Sequence, residues 1–258
     1  MKRIALVTGA CIYTGVAIVE RLLKEGRSVV FTGRSADKVA AAEAAYLARY
    51  PEADVRGYVI NSLIDERTVD VDAVKKLFAE IDEMGTIVDT LVLNAADQGI
   101  GIVALESPIE DFMRVVNTNM TWNYCLCEEA VRRMRNIGAG SITFVNSNTA
   151  YRAIPDRIAY SASKSGQLGM MRAMALDFGK YGVRVNAVLP GMIRTDRWDK
   201  NPEFYENVPS RFTPLGDVAT GEDIADAVWY FAECARNTTG AELVVDGGNT
   251  VQLYPIVK

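Results

Sequence analysis

Seven short apolar runs, at 4–8, 28–32, 55–60, 90–94, 141–146, 183–188 and 242–245, alternate with longer stretches of helical periodicity, and this alternation limits the fold more than any other feature. Strands joined by helical crossovers pair in parallel. A parallel sheet is covered by helices on both faces, which is why the runs are apolar throughout rather than alternating. The expected fold is α/β: a doubly wound parallel sheet of seven strands with helices on both faces, forming one domain over residues 1–258. That length suits a single large domain. Gly26, Pro51 and Gly85 sit where helices should stop, and Ser107-Pro108-Ile109-Glu110 reads as a capping box with proline at the first helical position. No internal repeat or low-complexity tract marks a boundary.

The chain contains no histidine, so Ser-His-Asp hydrolysis, Cys-His proteolysis and histidine-ligated zinc are excluded and no metal site is expected. Proton transfer falls to Tyr, Lys, Asp, Glu or Cys. The four cysteines form no C-x-x-C pair and read as reduced thiols of a cytoplasmic protein. The net charge is −5, and the densest basic stretch is Arg132-Arg133-Met134-Arg135, so nucleic acid is not an expected partner. The uncharged run behind Lys2 and Arg3 imitates a secretory signal, but Thr8, Gly9, Thr14 and Gly15 break it, and no run is long enough for a membrane span.

The first strand runs into Thr8-Gly9-Ala10-Cys11-Ile12-Tyr13-Thr14-Gly15 and then an amphipathic helix over 16–24. Such a turn lets backbone amides at a helix N-terminus approach a pyrophosphate. Two glycines after a strand are also ordinary turn residues, so this segment alone leaves both readings open. Tyr160 and Lys164 share a helical face four residues apart, and Ser147 closes a predicted strand thirteen residues before the tyrosine.

With these residues the whole chain resembles the short-chain dehydrogenase/reductase family. The landmarks are Thr8-Gly9 with Gly15, Asn94-Ala95-Ala96, Asn119, Ser147, Tyr160 with Lys164, Asn186, Pro190-Gly191 with Thr195, and Asp246-Gly247-Gly248. The resemblance implies a Rossmann-like fold and hydride transfer between a nicotinamide cofactor and a ketone or secondary alcohol. It makes Tyr160 the acid/base and gives Lys164 the nicotinamide ribose, while Ser147 holds the substrate oxygen and Asn119 holds a water chain from Lys164. The implied cofactor contacts are Thr8, Gly9, Cys11, Tyr13, Thr14 and Gly15 in the first turn, Arg34 after the second strand, Asn61 after the third, and Asn94 and Ala95 after the fourth. Tyr160 and Lys164 are added by the active-site helix, and Pro190, Gly191, Ile193 and Thr195 follow the sixth strand.

Two positions depart from the family pattern: Tyr13 stands where glycine is usual, and Leu93-Asn94-Ala95-Ala96 replaces Asn-Asn-Ala-Gly. The Tyr13 ring is expected to lie away from the phosphates. For Tyr160 to act as a base near pH 7, its value must fall by about 3 units, or about 4 kcal/mol. An ammonium about 4 Å away supplies about that much at an effective dielectric near 20.

Gly33-Arg34 puts an arginine and no carboxylate at the end of the second strand, which favours NADP, with NAD as the alternative. A covering segment over about 191–220 carries Arg194, Arg197, Trp198, Phe204, Tyr205, Arg211 and Phe212. With Arg152 it suggests a small polar, sugar-like or anionic substrate. The competing expectation pairs these arginines with Asp156, Asp196 and Asp199. Helices over 108–135 and 158–181, rich in apolar residues including Met170, Met171 and Met174, suggest a homo-oligomer, a tetramer or a dimer. The alternative is a non-catalytic dinucleotide-binding regulator or scaffold that kept the fold. An epimerase of the longer family branch is disfavoured, because little chain follows Gly248.

Overall fold

The computed structural model describes residues 1–195, 198, 200, 202 and 211–255. Its elements run β1 (Lys2–Val7), α1 (Thr14–Lys24), β2 (Val29–Gly33), α2 (Ala36–Arg49), β3 (Val55–Val59), a small hairpin β4 (Leu63–Asp65) and β5 (Thr68–Val69), and α3 (Val71–Glu83). They continue with β6 (Thr86–Leu93), α4 (Ile109–Val116), a π turn (Asn117–Thr121), α5 (Trp122–Ile137), β7 (Gly140–Val145), α6 (Ile158–Gly179) and β8 (Val183–Pro190). A last helix α7 (Gly221–Trp229), a second π turn (Tyr230–Cys234) and β9 (Glu242–Val245) follow. The main sheet has seven strands in the order β3-β2-β1-β6-β7-β8-β9, and every pairing is parallel.

Alternate residues of each strand feed two cores. Ile4 and Leu6 of β1 pack with α3, α5 and α6 on one face, while Ala5 and Val7 pack with α1, α2 and α7 on the other. Each fully buried aliphatic side chain stabilises by about 1.5–3 kcal/mol.

The strands match the seven expected runs, with shifts at their ends. β6 begins at Thr86 rather than 90, because Asp89 interrupts the apolar pattern. In the fold Asp89 is buried and paired with Arg27, a partner that the run itself cannot reveal. The expected capping box at Ser107 does not form: Ser107 Oγ accepts from the Val103 N–H at 3.0 Å, and α4 starts after Pro108 without a side-chain cap. The box that does form belongs to Thr220 and Asp223 at the start of α7. Gly85 (φ 72°) ends the α3 turn as expected, in a left-handed conformation that glycine adopts without strain.

Met171 and Met174 are buried in the sheet-facing core, and Met170 packs against it. These methionines therefore do not form a surplus outward face. The large exposed apolar residues of the same helices are Ile109, Tyr124, Ile158 and Leu176.

Candidate active site

The first turn is clamped to the neighbouring strand end. Thr8, completely buried, accepts from the N–H groups of Asn94 and Ala95, both at 3.0 Å. The Asn94 side chain donates back to the carbonyls of Thr8 (3.1 Å) and Gly9 (3.0 Å). A Cβ on Gly9 (φ 66°) would stand 2.8 Å from Ala95 Cα, and one on Gly15 would stand 2.5 Å from the Gly9 carbonyl oxygen. Only bare backbone fits, so the main chain of the turn borders the space ahead of α1, the close approach that a pyrophosphate requires. Tyr13 instead holds φ 50° and ψ −129° with an ordinary side chain, a conformation costing about 1–3 kcal/mol.

That space opens into a cavity of about 770 Å³ along the C-terminal ends of β1, β2, β6, β7 and β8. Gly9, Cys11, Tyr13, Thr14, Gly15, Arg34, Asn94, Ala95, Tyr160, Lys164, Pro190, Gly191, Ile193 and Thr195 all line it. Two expected cofactor contacts, Thr8 and Asn61, do not, and neither does Asn119, expected to hold the water chain. Thr8 lies behind the turn as its clamp, Asn61 is exposed while Ile60 and Ser62 form the wall, and Asn119 is buried beneath the site. Sequence reasoning missed Lys38, Gln98, Thr118, Trp122, Asn146 and Met192, which also line this cavity. Lys38 had a signal: Ser35 caps α2 by accepting from the Lys38 N–H at 3.5 Å, and Lys38 lines the same cavity as Arg34. Arg34 is exposed and makes no ion pair among the described residues.

A second cavity of about 460 Å³ shares Gln98, Ser147, Tyr160, Gly191 and Met192 with the first. The serine and tyrosine hydroxyls therefore stand where the two meet. Ser147 caps a short turn after β7, and its Oγ accepts from the Thr149 N–H (3.2 Å) and hydroxyl (2.9 Å). Tyr160 lies in the first turn of α6. Lys164, one turn later, donates from Nζ to the Val145 carbonyl at 2.9 Å and lies 5.6 Å from the Tyr160 ring centre.

Burial pushes the Tyr160 phenol above its ordinary value, against the opposing pull of the Ser147 hydroxyl and the Arg157 guanidinium. Burial also brings the Lys164 amine down to about 7. The depressed phenol expected from Lys164 is thus absent. Desolvation acts on both partners, and the amine directs a hydrogen bond to a backbone carbonyl.

Asn119 is a hub. Its side chain accepts from the Asp97 N–H (2.8 Å) and donates to the Asp97 carbonyl and Ser163 Oγ (both 2.9 Å). Its carbonyl accepts from Gln167 Nε2 (2.5 Å) and Asn123 Nδ2 (2.9 Å). A water held by that carbonyl would have to displace one of those amides.

On the second cavity, Arg152 and Arg157 are the charged wall residues, and no carboxylate side chain lines it among the described residues. Arg152 does not pair with Asp156. Its Nη1 donates to the backbone carbonyls of Asn249 (3.0 Å), Thr250 (3.1 Å) and Gln252. These contacts seat the segment after β9, whose Leu253 and Tyr254 form part of the wall. Arg157 donates to the Gln98 carbonyl at 2.8 Å. Arg194 is exposed and lines neither cavity, because its segment bridges to Ala219 and carries the side chain outward. Arg197, Asp196, Asp199, Phe204 and Tyr205 lie outside the described residues. Asn186, another sequence landmark, joins β8 to the segment before β9 through Thr238 and Ala241.

A long trench over a glycine cradle, sharing one tyrosine with a smaller chamber, is the architecture of a nicotinamide-dependent oxidoreductase, which must bring a hydride carrier and a carbonyl or alcohol together at one proton donor. Known proteins point to the same class. The family model described as Enoyl-(Acyl carrier protein) reductase matches residues 14–250, and the chain belongs to the short-chain dehydrogenase/reductase family, whose members here act on CH–OH and C=O groups.

Among its relatives are the 2-(R)-hydroxypropyl-CoM dehydrogenase of Xanthobacter autotrophicus, 34% identical over 97% of this chain and 99% of that protein, and the L-rhamnose 1-dehydrogenase (NAD(P)(+)) of Azotobacter vinelandii, 35% identical over 98% of each. Among solved structures, ElxO with NADP bound superposes with a TM-score of 0.87 at 27% identity, covering 98% of this chain and 100% of that one. Levodione reductase superposes at 0.85 with 26% identity, covering 96% and 98%. No helix among the described residues is long and apolar enough to cross a membrane.

Proposed function

We propose that the protein is an NADP-dependent oxidoreductase that interconverts a ketone and a secondary alcohol on a small polar or anionic substrate. The observation that carries this reading is the meeting of the two cavities at Ser147 and Tyr160. The cofactor would lie in the larger cavity, with its pyrophosphate over Gly9 and Gly15, its adenosine end beside Arg34 and Lys38, and its nicotinamide ribose at Lys164. When bound, it supplies the hydride donor or acceptor. An arginine and a lysine suit a 2′-phosphate, because charge-assisted hydrogen bonds to phosphate are the strong ones, and the carboxylate among the described lining residues, Asp97, is ion-paired with Arg114.

Ser147 donates its hydroxyl hydrogen to the substrate oxygen while accepting from Thr149, which stabilises the charge that develops there. Tyr160 exchanges a proton with the same oxygen. A buried phenol held above its ordinary value is protonated at neutral pH, which suits reduction of a ketone to an alcohol. Arg157 and Arg152 give the substrate cavity its positive charge, and no carboxylate lines its described walls to oppose them.

The expected substrate cover over about 191–220 falls partly on residues 196, 197, 199, 201 and 203–210, which lie outside the described residues; of its described part, Gly191, Met192 and Phe212 line the substrate cavity, and the chain works as one domain. The four cysteines are free, which supports a reducing, cytoplasmic setting. Ile158 and Leu176 of α6 and Tyr124 of α5 give these helices exposed apolar faces for a homo-oligomer, to be checked by light scattering at micromolar concentration.

The test is a panel of paired ketones differing only in a carboxylate, followed by NADPH and NADH absorbance. The expected result is faster turnover of the charged member, with NADPH preferred by about tenfold. Higher kcat/KM for the uncharged member removes the anion preference, and equal use of the two cofactors removes the NADP assignment.

A further inference from the structure

A chain of buried amides runs beneath the reacting groups. Gln167 and Asn146 are 1% and 4% exposed, and Asn119 is completely buried. Gln167 Nε2 donates to the Asn119 carbonyl at 2.5 Å, while its Oε1 accepts from Asn146 Nδ2 at 2.9 Å. Asn146 Nδ2 also donates to the Lys164 carbonyl (2.9 Å), and its Oδ1 accepts from the Ser147 N–H (2.7 Å). From the other end, Asn119 donates to Ser163 Oγ, which donates to the Tyr160 carbonyl at 2.8 Å. Ser147, Tyr160 and Lys164 thus have their backbones tied into one network, and Gln167 is the link between its two halves.

The sequence places that link where it can act. Residues 160, 163, 164 and 167 recur at helical spacing on one face of α6, against the π turn that contains Asn119. Such a turn lies off the regular helix ladder and is frequent at functional sites. A leucine or methionine would fill the volume of Gln167, but neither supplies the donor for Asn119 and the acceptor for Asn146 that the amide carries. Buried polar networks of this kind fix geometry when every member is satisfied.

We propose that Gln167 is a positioning residue for the reaction: clamped between Asn119 and Asn146, it holds the Ser147 backbone, and with it the Ser147 hydroxyl, in register with Tyr160. The inference rests on the oxidoreductase reading above. It assigns to Gln167 no contact with substrate or cofactor.

The experiment compares Gln167→Met and Gln167→Glu with the unmodified protein. In Gln167→Met, kcat is expected to fall at least tenfold, with the substrate KM and the NADPH Kd within twofold of the unmodified protein. The limb of the kcat–pH profile set by Tyr160 is expected to move. In Gln167→Glu the buried carboxyl is protonated at about pH 6, because burial disfavours the charged form. There it donates to Asn119, accepts from Asn146 and restores kcat. At about pH 9 ionisation removes the donor, and kcat falls relative to the unmodified protein at the same pH.

The proposal is overturned if Gln167→Met keeps kcat within twofold, or if kcat, KM and thermal stability decline together and Gln167→Glu follows the unmodified pH profile. If Gln167→Met does not fold, the Gln167→Glu profile decides alone. An unmodified protein that turns over no carbonyl compound refutes the oxidoreductase reading; an active one with an unperturbed Gln167→Met refutes only the role of Gln167.

Discussion

The cofactor cavity is walled largely by strand ends, whereas the substrate cavity is walled largely by loops and by the segment after β9. On the cofactor side, sheet pairing sets the positions, and Thr8 and Asn94 lock adjacent strand ends together. On the substrate side, the wall at residues 249–255 is held by the Arg152 guanidinium, by Asn148 donating to Asn249, and by Gln252 donating to the Arg211 carbonyl. A wall hung on a few side chains can change without disturbing the sheet. The contrast explains how a shared fold and hydride chemistry accommodate different substrates.

Substitutions should therefore sort by side. Among substitutions that sort the two sides, the largest effect belongs to Lys164→Met, which should disturb both turnover and cofactor binding. It should lower kcat by more than about a hundredfold and also weaken NADPH binding in fluorescence titration. It should alter stability as well. The Lys164 value of about 7 lies below that of an unfolded lysine, so the unfolded chain binds more protons above about pH 7. Native stability from this group therefore rises as pH increases from about 7 towards about 10, and urea unfolding of Lys164→Met should lack that rise.

Next comes Arg34→Ala, confined to the cofactor side. It should erase an NADPH preference of about tenfold, about 1.4 kcal/mol, and leave the substrate KM unchanged. Arg152→Ala is its counterpart. Losing the tether should raise the substrate KM about fivefold, about 1 kcal/mol, with NADPH affinity intact. A change in NADPH Kd equal to the change in KM would show that the two walls are not independent.

The smallest effect is Tyr13→Gly. Relief of a left-handed conformation at a non-glycine residue should stabilise the protein by about 1 kcal/mol in thermal or urea unfolding. No gain in stability would mean that the tyrosine has contacts offsetting its backbone strain.

The same division governs what could be read from the residues alone. Strand runs and turn glycines are local patterns, so the sheet and the cradle at Gly9 and Gly15 were legible; Ser147, Tyr160 and Lys164 were singled out by their spacing and the family resemblance, and the fold brings all three to one cavity. Features depending on distant partners were not legible. Asp89 hid the start of β6 until Arg27 supplied its countercharge, Ser107 capped Val103 instead of a helix, and Arg152 turned to the chain end rather than to Asp156. The Gln167 network was missed because its links join residues 119, 146 and 167, far apart in sequence. The spacing of 160, 163, 164 and 167 on one helix face was the available clue. The sign of the Tyr160 shift also escaped, because charge proximity can be inferred from spacing and burial cannot.

The most direct test measures NADPH binding and single-turnover ketone reduction by Tyr160→Phe, the residue at which both cavities end. Removing one hydroxyl at that junction should leave the NADPH Kd within twofold and abolish oxidation of the bound cofactor. Retention of even a tenth of the unmodified rate would contradict the assignment of proton transfer to Tyr160.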